Sequence, residues 1–126
     1  MPITTAGQNY LVACMTGVNT TLLNNANAQI GVGDSATVFD IAQTDLQADT
    51  NKLRVGMDAT YPLTVANVIT LKATFTELLA NFPWQEWGIF NAATEGDMLC
   101  RKVEYNGTKL SGQIWVITVT VTISIS

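Results

Sequence analysis

The groups best equipped for chemistry in this chain are ten carboxylates, two thiols and three indoles, with no imidazole among them. Without histidine there is no Ser-His-Asp or Cys-His machinery and no His-containing zinc site. The thiols of Cys14 and Cys100 are too few for a thiolate metal site, and they read as buried free thiols rather than a disulfide framework. Asp34, Asp40, Asp45 and Asp49 fall in one polar segment. Calcium favours oxygen clusters, but this spacing lacks the alternate-residue ligands and closing Glu of an EF-hand, so a solvated acidic loop is expected. Asp34 and Asp58 are the carboxylates an acid-base enzyme would use. A glycosidase needs such a pair to flank a cleft, for which a small β domain leaves little room. The chain reads as non-enzymatic, with no cofactor.

Two motifs invite a closer look. Gly31-Val32-Gly33-Asp34-Ser35-Ala36 fits G-x-G-x-x-A after a strand. A dinucleotide site also needs a helix starting there, and the following residues show no helical period. The glycines read instead as a tight strand exit. The second motif is Trp84-Gln85-Glu86-Trp87-Gly88-Ile89-Phe90. On a regular strand Trp84, Glu86 and Phe90 share one face, and Trp87 and Ile89 take the other. Apolar residues on both faces indicate a central or an interface strand, so Trp84 and Trp87 are candidate interface residues. Exposed, they or Tyr61 would instead offer a sugar-stacking platform. A buried Glu86 requires a partner, and Arg101 is the candidate for a structural ion pair.

The elements that position these groups follow from periodicity. The strongest signal is the C-terminal run Ile114 to Ser126. From Trp115 on, the odd positions Trp115, Ile117, Val119, Val121, Ile123 and Ile125 are apolar, and from Thr118 the even positions are Thr or Ser. A period of two with β-branched residues predicts a strand. Thirteen residues would span roughly 43 Å at about 3.3 Å each. A domain of this size is roughly 36 Å across. The strand should therefore curve around a sheet or run past its own domain, which makes Val121, Ile123 and Ile125 candidate interface residues.

Thr4 and Thr5 suit the N-cap of one helix, about Ala6 to Thr16, with Tyr10, Leu11, Cys14 and Met15 on its apolar face and Gly17 as its stop. Strands are expected at Ala28 to Gly33, Lys52 to Asp58, Asn67 to Phe75, Trp84 to Asn91 and Asp97 to Tyr105. Asp34 to Thr50 reads as an extended surface loop with one helical turn near Gln43 to Gln47. Tyr61-Pro62 is a break. Asn106-Gly107 predicts a two-residue hairpin into the terminal strand, which sets Glu104 opposite Lys109. The preceding hairpin sets Glu86 opposite Arg101 or Lys102. Val121 to Ser126 then outruns its hairpin partner and must pair with an earlier strand, such as Asn67 to Phe75, or with another subunit. The expected fold is mainly β: an antiparallel meander or sandwich of five to seven strands with one N-terminal helix, a single domain over residues 1–126.

Composition narrows the partners. Only 13% of residues are charged while 48% are hydrophobic, against about 25% charged in an ordinary soluble domain. So few surface charges suit a protein whose surface is partly occupied, as in a permanent homo-oligomer with a trimer among the candidates. A net charge of −4 with six Lys and Arg gives no basic patch for nucleic acid. No stretch reaches the ~18 apolar residues of a membrane helix, and the N-terminus lacks signal-peptide features. Synthesis in the cytoplasm, with no nucleic-acid or membrane partner, is the expectation.

Three stretches together resemble structural proteins of tailed bacteriophages: Ile30-Gly31-Val32-Gly33-Asp34-Ser35, Asn81-Phe82-Pro83-Trp84-Gln85-Glu86-Trp87-Gly88-Ile89-Phe90-Asn91-Ala92, and Met98-Leu99-Cys100-Arg101-Lys102-Val103. In that loose family a G-x-G strand end precedes a polar segment, then W-x-E-x-G-I-F, a small-residue turn, M-L-x-R-K and a Thr-rich β terminus. Thr4-Thr5-Ala6-Gly7 is similar to the T-x-A-G helix start of tail-fibre and collar-type proteins. The resemblance covers most of the chain. It implies a virion component made in the host cytoplasm, partnered by itself and by other virion proteins, at the tail, collar or fibre attachment or as capsid decoration. It implies no catalytic residue.

Overall fold

The computed structural model describes residues 2–124. Helix α1 (Thr5–Met15) begins where Thr4 can cap it: the Thr4 hydroxyl accepts from the Gly7 N–H at 2.9 Å and donates to the Met98 carbonyl at 2.6 Å. The same side chain thus ends the helix and ties it to the body. Gly7 faces the strand beneath, and a Cβ there would overlap the Leu99 carbonyl. Thr16 is the C-cap and Gly17 follows with φ of 74°.

Seven strands follow: β1 (Gln29–Gly33), β2 (Lys52–Gly56), β3 (Leu63–Val65), β4 (Val68–Phe75), β5 (Pro83–Phe90), β6 (Met98–Thr108) and β7 (Trp115–Thr122). All pairings are antiparallel, and they form two sheets ordered β2-β1-β5-β6 and β3-β4-β7. The arrangement is a sandwich, not a simple meander. Its core lies between the sheets: Ile30 and Val32 of β1, Trp87 and Ile89 of β5, Leu71, Ala73 and Phe75 of β4, and Val119 and Val121 of β7. Leu53, Val55 and Met57 close one side, as their alternation predicts. Trp84 joins the layers, with its ring centroid 4.8 Å from Phe75 and 4.9 Å from Trp115, both edge-on.

Several expectations are corrected. Asn106-Gly107 makes no hairpin; β6 runs through it, and Gly107 lies opposite Trp84. Gly107 takes φ of 110°, and a Cβ there would meet the Trp115 ring at 3.2 Å. Its role is to admit that indole, not to turn the chain. The two-residue hairpin is instead Ala66-Asn67, between β3 and β4, with Ala66 at φ of 52°. β3 has only three residues, too few for a period-two signal. Glu104 therefore does not face Lys109; it pairs with Lys102 at 3.0 Å. The helical turn expected near Gln43 to Gln47 is a single turn closed earlier, where Gln43 N–H donates to the Asp40 carbonyl at 3.1 Å.

The terminal strand is shorter than its alternation suggests. A turn at Leu110 to Gln113, with Gly112 at φ of 89°, ends before Trp115, and the strand spans eight residues. It fits within the domain. Val121 and Thr122 pair with Ile69 and Val68 of β4, the earlier-strand alternative. A register shift between Trp84 and Glu86 also reassigns the faces of β5. Trp84 packs in the same cluster as Trp87 and Ile89, while Phe90 joins Leu46 and Met98 on the opposite face.

The register predicts a specific cost. Gly31 lies opposite Gly88, and a Cβ on Gly31 would sit 2.8 Å from the Phe90 ring and 3.1 Å from Leu46. Gly31→Ala should cost about 1–3 kcal/mol, read as a lower urea midpoint. An unchanged midpoint would contradict the close packing of Phe90 on the glycines.

Candidate interaction site

The outer face of the larger sheet holds a buried pair of charges, Glu86 and Arg101. One register row across it reads Arg54, Gly31, Gly88, Arg101; the next reads Lys52, Gly33, Glu86, Val103. The glycines make a trough flanked by charged side chains. Phe90 lies over Gly31 and Gly88, and the Arg54 guanidinium stacks on its ring at 3.6 Å from the centroid. Glu86 lies over Gly33, where a Cβ would stand 2.5 Å from its Oε2. This accounts for the G-x-G motif. The missing side chains make room for a carboxylate and an aromatic ring, not for a phosphate.

Glu86 and Arg101 form the expected ion pair, at 2.8 Å from Arg101 Nε to Glu86 Oε1, with both side chains fully buried. They are not directly opposite: Glu86 faces Val103 and Arg101 faces Gly88, so the contact is diagonal across the strands. A buried carboxylate is costly unless its lone pairs are filled. Here each oxygen takes two donors: Oε1 from Arg101 Nε and the Gln47 N–H, Oε2 from the N–H groups of Ala48 and Ser35. Arg101 Nη1 donates to the Thr37 carbonyl and to Gln43 Oε1, while Nη2 finds no acceptor among the described residues. The pair thus sews residues 34–50 onto the sheet. That segment is long and polar and has no regular structure, and Glu86 substitutes for its missing ladder.

Asp45 adds a second stitch, accepting from Lys52 Nζ at 2.9 Å and Arg54 Nη2 at 3.2 Å. Burial pulls its carboxyl upward, but hydrogen bonds from Lys52, the Leu46 N–H and Arg54 outweigh that and hold it below the usual range. Asp40 accepts from the Ala42 N–H within a local turn, and Asp34 accepts from Asn51 at the far end of the segment. Asp58 accepts from Thr74, so it too has a structural partner. Lys109, expected opposite Glu104, is instead fully buried and donates to the Thr76 carbonyl at 2.7 Å and Asn81 Oδ1 at 2.8 Å. Only the loop Thr76 to Phe82 folding back over it could have revealed that role. Cys14 and Cys100 are free, with Cys100 buried and its thiol pushed up to about 12 by burial. Among the described residues no three His, Cys, Asp or Glu side chains gather as metal ligands.

The candidate interface residues divide. Trp84, Trp87 and Val121 retain 4%, 8% and 8% exposure, so the chain's own sheets cover them. They are core residues, which also removes Trp84 and Trp87 as sugar platforms, and Tyr61 is half-buried under Lys72, 5.4 Å from its ring. Ile123 is exposed, and Ile125 lies outside the described residues. Among the described residues β7 pairs only with β4, which leaves its other long edge free. Beside it is a groove of about 450 Å³ between the sheets, lined by Trp87, Lys102, Glu104 and Asn106 on one wall and Val116 to Thr120 on the other. No family model matches the chain, and no curated protein matches it.

Two outcomes check the buried network. Glu86→Ala leaves Arg101 charged and buried, and should cost about 3–5 kcal/mol while releasing residues 34–50 to proteolysis. Full retention of stability would show that the pair does not hold that segment. For Asp45 the folded value is depressed, so its contribution is complete above the unfolded value near pH 4 and is lost as pH falls through the folded value. Asp45→Asn should therefore flatten the acid limb of the stability curve below about pH 4 and leave its shape above pH 5 unchanged. Identical acid limbs in the two proteins would contradict this.

Proposed function

We propose that the protein is a non-enzymatic virion structural component of a tailed bacteriophage, which assembles with copies of itself and with other virion proteins in the tail, collar or fibre-attachment region. One observation carries the assembly part of this reading. β7 pairs with β4 along one edge, and along the other its eight residues have no strand partner among the described residues and carry no charge, in a domain with few surface charges. Such an edge is a template for strand pairing. The groups that could do chemistry are engaged elsewhere: Glu86, Arg101, Asp45 and Lys109 hold loops onto the sandwich. The phage part rests on the resemblance of the Gly31, Trp84 to Phe90 and Met98 to Lys102 stretches.

The test is addition of the purified full-length protein to phage particles that lack it, followed by imaging. Density at the tail, collar or fibre base supports the reading as stated. Density on the capsid instead would make the protein a decoration component, the alternative position. No association with particles, tails or heads at micromolar protein would overturn the proposal.

A further inference from the structure

The four outermost strands of the two sheets are not equally protected. β2 carries Lys52 and Arg54. β3 has only three residues. β6 is covered at one end by the N-terminal segment, where Ile3 bridges Cys100, Arg101 N–H donates to the Pro2 carbonyl and Thr4 N–H to the Leu99 carbonyl. Its remainder carries the Lys102–Glu104 ion pair. Charged residues, short length and coverage are the usual ways to stop edge-to-edge pairing. β7 has none of them. It is eight residues long, and no residue from Leu110 to Ser124 is charged or is proline.

Deepening the assembly reading, on which it rests, we infer that β7 pairs with β7 of a second copy about a two-fold axis. The sequence itself is the observation that selects the occupant. An isologous contact must be complementary to itself. Read in either direction from Val119, the strand shows the same alternation: Thr118 and Thr120, then Ile117 and Val121. With the axis at Val119, Thr118 faces Thr120 of the second copy and Ile117 faces Val121 of the second copy. On the outer face the Thr118 and Thr120 hydroxyls meet, flanked by Val116 against Thr122, and branched apolar side chains meet on the core face. With no charge on either strand, nothing repels at any pair.

The backbone supplies the bonds. Ile123 N–H donates to the Asn67 carbonyl at 3.0 Å, and 123 opposite 67 continues the β7–β4 register. In an antiparallel ladder the bonded residues alternate. The odd residues of β7 therefore bond to β4, and Val116, Thr118, Thr120 and Thr122 aim their N–H and C=O groups out from the edge. Pairing about Val119 matches 116 with 122 and 118 with 120, so those groups find each other. The two three-stranded sheets become one of about six strands, in the order β3-β4-β7-β7-β4-β3.

The experiment is sedimentation equilibrium of the full chain at micromolar concentration, with two edge variants and a mixing arm. The wild type should run at twice its 13.6 kDa. Thr120→Pro removes an outward N–H that β4 does not use, so it should keep its thermal midpoint within a few degrees and run as a monomer. Thr118→Lys with Thr120→Lys puts like charges opposite each other at two symmetric places and should weaken association roughly tenfold or more. Mixing that variant with Thr118→Glu/Thr120→Glu should restore the dimer. A wild-type monomer, a dimer indifferent to the lysine pair, or a mixture that fails to re-form would each overturn the β7 pairing. A monomer that still binds particles would overturn it while leaving the virion assignment intact. A dimer that binds no particle would do the reverse.

Discussion

The rest of the structure depends on one carboxylate, Glu86, held in the dry outer layer of the larger sheet. Its four donors come from Arg101 and from the backbones of Ser35, Gln47 and Ala48. Removing a carboxylate from water is costly, and the charge of one guanidinium does not offset that without saturating hydrogen bonds. The segment from Asp34 to Thr50 supplies them. The dependence is mutual: that segment has few apolar anchors apart from Leu46 and Ala48, so without Glu86 its backbone groups would have water as their main alternative. The ion pair thus converts a long irregular loop into a third layer over the sheet.

This constraint reaches into the sequence at distant points. A side chain at Gly31, Gly33 or Gly88 would collide with the Phe90 ring, the Glu86 carboxylate or the Cys100 carbonyl, the first two of which lie between these glycines and the third layer. Arg54 serves the same layer from another strand, stacking on Phe90 and donating to the Ala92 and Glu95 carbonyls. The helix is fixed at its other margin, where Thr5 N–H donates to the Ile41 carbonyl and Thr4 to Met98. Three stretches distant in the chain, the N-terminal segment, residues 29–56 and residues 83–108, therefore meet around the larger sheet. The smaller sheet joins this body through apolar packing and through β4, where the Asp58 N–H donates to the Lys72 carbonyl and Thr74 donates to the Asp58 carboxylate.

Much of this was legible in the sequence, and the exceptions have physical causes. Period-two alternation found β4, β5 and β7, and the Thr4 cap found the helix, because these signals are local. Glu86–Arg101 was legible as a need, since a carboxylate between two tryptophans must find a cation. The diagonal geometry was not, because a register shift at Gln85 moved every residue before it to the other face. Asn106-Gly107 misled for a related reason. Positive φ has uses other than a hairpin, and here the tertiary contact with Trp115 decided. Lys109 and the glycine trough depend on partners far along the chain, which no local pattern records. Trp84, Trp87 and, on the last strand, Val121 read as interface residues by their apolar character, but those side chains are core. The surface left for a partner is the strand's backbone edge.

The buried charges and indoles are thus spent on the fold, and the proposed assembly rests on an uncharged strand edge. Residue-resolved amide exchange along β7 tests that division most directly, measured at low and high protein concentration. Ile117, Val119 and Val121, bonded to β4, should exchange slowly at both. Val116, Thr118, Thr120 and Thr122 should exchange fast in dilute protein and slow together as concentration rises. Fast exchange of those four amides at every concentration would show that the edge stays open in solution and would contradict its role in assembly.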